Sequence, residues 1–421
     1  MMNGSVAHRV AVTGIGVITP IGTGVQSFWD ATLAGKIGVA GVTRFDPSQF
    51  SSRVAAQVDD FDPAEYLAPK RLRWTERFAQ FSIAASRLAL DDANYRVDDG
   101  DETGIYIGSA LGGLAYAEEQ HDRFHAAGIK SVRPLLAIAV FGGTATTNVG
   151  IEFGIRGPNV ANANSCAAGT VAIGQAFRSI ATGEVRNALA GGVEAPLSQL
   201  IFGAFALIRS MSTRNDDPAR SSRPFDANRD GFVMAEGAGV LFMERYDDAL
   251  ARGARIYGEV LGFGLTADAH HMTAPRPDGY SASRAISAAL REARVAPDEI
   301  ELIDAHGSSS PLNDVTETLA FKLAFGEAAT RIPIVATKGQ HGRALGATGA
   351  WEAALTLLAM RNKVLPGTVN LEHPDPACDL NITREVRPIA ARLAVSNSTG
   401  FGGINAALVL KRAEGCPGTA R

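Results

Sequence analysis

Residues 164–169 read Asn-Ser-Cys-Ala-Ala-Gly, and an apolar stretch from Ala167 to Thr182 follows without a break. Small or apolar residues occupy nearly every side of that stretch, which marks a helix buried between layers. Cys166 then stands at a helix N-terminus, where the dipole and unpaired amides favour thiolate over thiol. The other reading is a small buried cysteine that only packs. A loose echo, Asn-Ser-Thr-Gly-Phe-Gly, occurs at residues 397–402, and much of Trp351 to Met360 is also apolar all round. These features predict stacked sheets with helices between them, and a break near Arg252 to Arg255 separating two similar halves.

Outward from this segment, β-branched runs alternate with helical patterns. Arg9 to Thr13, Gly104 to Gly108, Asn187 to Gly191, Glu301 to Ala305, Ile332 to Ala336 and Arg392 to Asn397 read as strands. Thr75 to Asp92, Tyr280 to Ala293 and Ala350 to Arg361 join Ala167 to Thr182 as helices. Such alternation implies an α/β protein with helix-covered sheets.

Composition excludes several classes. The 421 residues are 46% hydrophobic and 20% charged, enough for a large core, and the formal charge of -4 gives no basic excess for nucleic acid. Cys166, Cys378 and Cys416 are odd in number and widely spaced, against a disulfide framework or a zinc site. Asp268, His270 and His271 lack ligand spacing with the other histidines, so no metal is expected. The run Val10 to Gly22 is broken by glycines and Pro20, and no other apolar run would span a bilayer. A soluble protein of the reducing cytoplasm is expected.

Three further motifs stand beside strands. Gly14-Ile15-Gly16 begins like a dinucleotide fingerprint, but Thr19-Pro20 replaces its third glycine, leaving a tight structural turn as the better reading. His306 is presented at a strand end with Ser308, Ser309 and Ser310 behind it, as a site residue or a hydrogen-bonded loop histidine. Thr337 to Gly346 is dense in polar groups between an apolar strand and a buried helix, and suggests a site wall. Lys338 could equally be solvated there, and Arg343 paired with a carboxylate.

Six blocks in order resemble the β-ketoacyl-acyl-carrier-protein synthase II family: VTGIGVITPIG (12–22), NSCAAG (164–169), RPFDANRDGFVMAEGAG (223–239), DAHGSSSP (304–311), TKGQHGRALGATGA (337–350) and SNSTGFGGIN (396–405). The resemblance implies a thiolase-like duplicated five-layer α-β-α-β-α core. Residues 1–253 would form the half carrying the nucleophile, and 254–421 the half carrying His306 and the Lys338 to Arg343 loop. It implies acyl transfer and decarboxylative condensation, in fatty acid or polyketide-type biosynthesis. Cys166 matches the nucleophile, His306 the first catalytic histidine and Lys338 the supporting lysine. Phe401 matches the phenylalanine near the acyl pocket, Ser308 and Ser310 the pantetheine contacts, and Thr273 and Gly402 further substrate-binding positions. No cofactor is implied beyond the phosphopantetheine arm of acyl carrier protein. The expected assembly is a homodimer, or a heterodimer with a ketosynthase-like subunit.

The sequence departs from that pattern where Arg343 replaces the second catalytic histidine. Arginine keeps donors but carries a permanent charge on a planar fork. It could stabilise an enolate, lower the Cys166 pKa, or grip a malonyl carboxylate. The chain would then be a synthase using arginine, a specialised member with reduced condensation, or a variant made to block turnover. A shifted loop could instead bring in His341, since alternate residues of an extended segment share a face. Thr399 replaces a more usual phenylalanine, leaving the aromatic gate to Phe401. Lys70, Arg71 and Arg73, with Arg77 a turn later, form a candidate patch for an acidic carrier protein, or an ordinary solvated face. Rival readings are a non-condensing partner subunit, a scaffold without turnover, and a thiolase, which would need a second cysteine near Ser398 to Phe401.

Overall fold

The computed structural model describes residues 8–414; Cys416 lies outside them. Its first sheet comprises β1 (Val10–Thr19), β2 (Thr103–Gly108), β3 (Asn159–Asn162), β4 (Asn187–Glu194) and β5 (Gly237–Arg245). Its second comprises β6 (Gly258–Ala267), β7 (Leu302–Asp304), β8 (Ile334–Val335), β9 (Leu393–Gly400) and β10 (Ile404–Arg412). The strand orders are β1-β5-β4-β2-β3 and β6-β10-β9-β7-β8, with the same antiparallel, antiparallel, parallel, parallel succession. A short antiparallel contact of β1 with β6 joins the two.

Five layers follow. Helices α2 (Ala168–Thr182) and α5 (Thr348–Asn362) lie in the middle and pack against strands of both sheets. Outside, α1 (Arg77–Asp92) covers the first sheet, while α3 (Tyr280–Ala293) covers the second and packs on α4 (Pro311–Phe325). Every residue of α5 from Thr348 to Met360 is buried, Glu352 included, as expected of a mostly apolar helix held between layers.

Gly14 and Gly16 are not a turn. They lie inside β1, where a Cβ would stand 2.0 Å from the Ala89 carbonyl oxygen and 1.9 Å from that of Ala85. The strand continues to Thr19 because α1 approaches to backbone contact there, a close approach that only glycine permits. The second half repeats the device: Cβ atoms on Gly262 and Gly264 would stand 2.2 Å and 1.9 Å from the carbonyl oxygens of Ala289 and Ala285. Each strand also has a register shift just before the first glycine of its packing pair, Gly14 and Gly262.

The duplication also corrects the sequence echo. Residues 397–402 continue from β9, the counterpart of β4, whereas the true counterpart of Ser165-Cys166-Ala167 is Leu345-Gly346-Ala347. Both triplets form a 3-10 turn leading into a buried 15-residue helix. Their first residues share a left-handed φ, 52° at Ser165 and 39° at Leu345.

Gly16→Ala and Gly264→Ala should each lower stability by about 2–4 kcal/mol, by forcing helix from strand. The solvent-open Gly41→Ala, with nothing near its Cβ, should change it by less than about 1 kcal/mol. Urea unfolding of the three variants checks this; equal effects would contradict the packing account.

Candidate active site

Cys166 is 1% exposed, in the turn that opens α2, after a backbone reversal at Ser165. It belongs to an apolar cluster with Phe202, Phe232, Met234 and Leu345, against which Leu111, Phe205 and Phe401 pack. The loop after β9 approaches the same turn: a Cβ on Gly400 would lie 3.1 Å from the Cys166 amide nitrogen. The amides of Cys166 and Phe401 donate to no acceptor among the described residues. Cys378 is also free and buried, in the separate core beneath α3 and α4, where burial pushes its thiol up to about 11.

The second half supplies the charges. His306 follows β7, and its amide and that of Gly307 donate to Glu317 of α4 at 2.6 and 2.8 Å. Its ring is 1% exposed and Nε2 has no partner among the described residues. Burial drives its pKa well below the ordinary histidine range, and the charges of Lys338 and Arg343 add to this. Lys338 is not solvated. Its ammonium is buried, donating to the His306 carbonyl and to Glu352 of α5. Burial pushes the Glu352 carboxyl up, while Lys338 holds it down. Asp304, which accepts from Ser396 at 2.9 Å, is pushed well up by burial and by the charge of Glu352.

Arg343 has no carboxylate partner among the described residues. It is 5% exposed, with its guanidinium carbon 5.1 Å from the Phe232 ring centre and 5.5 Å from that of Phe401. Its Nη2 donates to the Thr399 carbonyl at 3.3 Å, and its Nε is buried without a partner. The backbone of Arg343 bridges to Val233 and Ala235, which holds the loop in register.

His341 is turned away from this site. Nδ1–H donates to the Gly342 carbonyl at 2.8 Å, Nε2 accepts from the Thr337 hydroxyl at 2.9 Å, and the ring packs edge-on against Trp351. Both nitrogens are engaged, so the shifted-loop alternative is excluded in this structure.

The serines form a small polar shelf. Ser308 and Ser310 lie 2.9 Å apart through their hydroxyls, and Ser310 also caps α4. Gly402 donates to Met272 at 2.7 Å, bringing the exposed loop of Thr273 beside Phe401. Thr399 donates to Asn313 of α4 at 2.7 Å, a polar tie where the sequence pattern suggested an aromatic. The basic cluster is divided: Arg71 pairs with Glu152 and Arg77 with Glu236, leaving Lys70 and Arg73 exposed.

Sequence reading missed the carboxylates behind the site. Glu317 also accepts from Asn397 at 2.8 Å. Glu194 gathers the amides of Ala110, Leu111 and Gly346 and the hydroxyl of Ser109 at 2.7–3.0 Å. The available signal was a charge inside an otherwise apolar segment, as with Glu352 in α5 and Glu194 in β4.

The beta-ketoacyl synthase N-terminal domain model matches residues 7–249, and its C-terminal companion matches 257–372. The chain belongs to the β-ketoacyl synthase family. This β-ketoacyl synthase is 42% identical over 407 residues to 3-oxoacyl-[acyl-carrier-protein] synthase 2 of Synechocystis sp., covering 96% of this chain and 98% of that one. A Coxiella burnetii protein of the same name is 40% identical, with 96% and 99% covered. Among solved structures, the ishigamide ketosynthase/chain length factor superposes with TM-score 0.91 at 35% identity, covering 97% of this chain and 100% of that chain. A type II PKS ketosynthase in complex with its acyl-carrier protein gives 0.90 at 33%, with the same coverage. The five-layer thiolase-like fold is thus shared.

Burial, with the Lys338 charge, lowers the His341 pKa to about 3. The folded state therefore favours the neutral ring: its contribution is present above about pH 6.5 and lost as pH falls toward the folded value, at about 1.4 kcal/mol per unit. His341→Gln should show a shallower loss of melting temperature than the parent between about pH 6.5 and pH 4.5. Parallel curves would contradict this assignment.

Proposed function

We propose that this β-ketoacyl synthase condenses an acyl chain, carried as a thioester on Cys166, with malonyl-acyl-carrier-protein. The observation that carries the reading is that buried Cys166 packs in one cluster with Phe232 and Phe401, the rings that flank Arg343, while Lys338 bonds to the carbonyl of buried His306. In the first step the Cys166 thiolate attacks the incoming acyl thioester, the carrier thiol leaves, and the acyl group remains on Sγ. In the second, malonyl thioester loses carbon dioxide, and its α-carbon attacks the acyl-Cys carbonyl as the Cys166 thiolate leaves. Negative charge develops on a carbonyl oxygen in each step. The amides of Cys166 and Phe401 would receive it on the acyl group. His306 Nε2, buried and unpartnered, would donate to the enolate oxygen. Lys338 acts as a positioning residue, through its bond to the His306 carbonyl.

The same reading assigns pantetheine to the shelf of Ser308 and Ser310 beside Thr273 and Gly402. It divides the chain at residues 253/254, in keeping with the repeated strand order and the gap between the two family matches. A second copy is the proposed partner subunit, supported by β3, a sheet edge that among the described residues is hydrogen-bonded only to β2 and open on its other side. No helix among the described residues is long and apolar enough to cross a membrane, in keeping with a proposed cytoplasmic site. Among the described residues no cluster of metal-ligating side chains occurs, and none is needed for these steps.

Acyl-carrier thioester followed by malonyl-carrier thioester tests the reading by intact mass and product analysis. Acyl-Cys166 and a ketoacyl product are expected. Acylation without product, restored in Arg343→His, would mean that this form stops at the acyl-enzyme. No acylation in either form would favour a non-condensing subunit.

For the carrier protein, the patch reduces to Lys70 and Arg73. Lys70→Glu with Arg73→Glu should weaken carrier binding roughly tenfold, mostly through slower association at low salt. Arg71→Glu should instead lower the melting temperature, by leaving Glu152 facing a like charge. Unchanged carrier affinity in the double variant would remove the patch.

A further inference from the structure

Arg343 brings a buried positive charge to this site with no carboxylate within ion-pair distance among the described residues; Glu352 feels that charge without contacting it. The neighbouring acids bond elsewhere: Glu352 to Lys338, Glu317 to the amides of His306 and Gly307 and the amide group of Asn397, and Asp304 to Ser396, while Glu352 Oε2 and Asp304 Oδ1 have no partner among the described residues. Among the described residues the Arg343 guanidinium makes one hydrogen bond, at 3.3 Å to the uncharged Thr399 carbonyl, and Nε makes none. The rings of Phe232 and Phe401 attract the cation and fix its position without neutralising it. Burying such a charge costs several kcal/mol unless an anion completes it, so the arrangement is one that a ligand's carboxylate would stabilise. The guanidinium fork matches a carboxylate in shape as well as charge.

We infer that Arg343 makes this pocket a carboxylate-binding site, which selects a dicarboxylic acid monothioester over neutral acyl thioesters before any bond breaks. The inference rests on the reading of the Cys166 pocket as the thioester site. It has a kinetic consequence: the carboxylate's charge must leave with carbon dioxide. A grip on that charge in the ground state therefore tightens binding and slows the decarboxylation it precedes. Arg343 is thus a specificity residue whose benefit lies in KM and whose cost lies in kcat.

The test uses full-length protein and two unreactive probes, amide-linked malonyl-pantetheine and its methyl ester, with binding measured by calorimetry. The parent should bind the carboxylate at least about tenfold more tightly than the ester, and Arg343→Gln should bring the two within about twofold, with ester affinity kept. Equal affinities in the parent, or a preference that survives in Arg343→Gln, would overturn the inference. Should Arg343→Gln fail to bind the ester, Arg343→Lys carries the comparison: preference kept with the cation supports it, and preference lost contradicts it. In turnover, Arg343→His should raise both KM and kcat for the malonyl substrate; a lower KM would also overturn the inference. Acylation of Cys166, followed by intact mass on the same samples, tests the ketosynthase reading separately. A carboxylate preference without acylation would sink that reading and leave the anion site standing.

Discussion

The whole arrangement depends on how closely the N-termini of α2 and α5 approach each other. A Cβ on Gly169 would lie 2.7 Å from the Gly346 carbonyl oxygen, one on Gly192 would lie 2.1 Å from that oxygen, and one on Gly349 would lie 2.1 Å from the Thr170 hydroxyl. No side chain fits between these backbones. The contact brings the turn that carries Cys166 against the turn that follows Arg343, although the two begin 180 positions apart in the chain, at Ser165 and Leu345. Glu194 locks the second turn to the 109–111 segment by gathering amides from both. With two helix N-termini meeting at this contact, partial positive charge is built into the scaffold before any side chain contributes.

Duplication explains why the two halves do different work. The turn at Ser165-Cys166-Ala167 and that at Leu345-Gly346-Ala347 share a left-handed first residue and the helix that follows. One carries a sulfur where the other carries only backbone. The glycine at 346 clears space against Ser109, Ala110 and Glu194, and Cys166 shares an apolar cluster with Phe232 and Leu345, against which Phe401 packs. The second half spends its polar side chains behind this contact, on a buried layer of Asp304, Glu317, Lys338 and Glu352. Within it, taking away either member of the Lys338–Glu352 pair would leave the other buried and unpaired.

Much of this was legible in the sequence. The all-round apolarity of Ala167 to Thr182 and Trp351 to Met360 located both central helices, because a helix covered on every side has no polar face to keep. The ordered motifs singled out Cys166, His306, Lys338 and Arg343; the fold buries all four, with Lys338 on the His306 carbonyl and Arg343 beside the rings that pack with Cys166. Other features were hidden. The strand Gly237–Arg245 is buried along almost its whole length and shows no alternation to read. Gly14 and Gly16 looked like a turn because the sequence does not display the Ala85 and Ala89 backbone they meet. The ion pair of Lys338 with Glu352 and the withdrawal of His341 toward Trp351 are tertiary facts, as is the capture of Arg71 by Glu152.

Selective alkylation tests the central claim, that one cysteine at the meeting point of the two halves is the reacting group. The protein would be incubated with a bromoacetyl-pantetheine probe and digested, and the modified peptide identified by mass. The account predicts modification at Cys166 with Cys378 untouched, since Cys378 lies in the core under α3 and α4 with its thiol held protonated. Modification at Cys378 with Cys166 unmodified would contradict it.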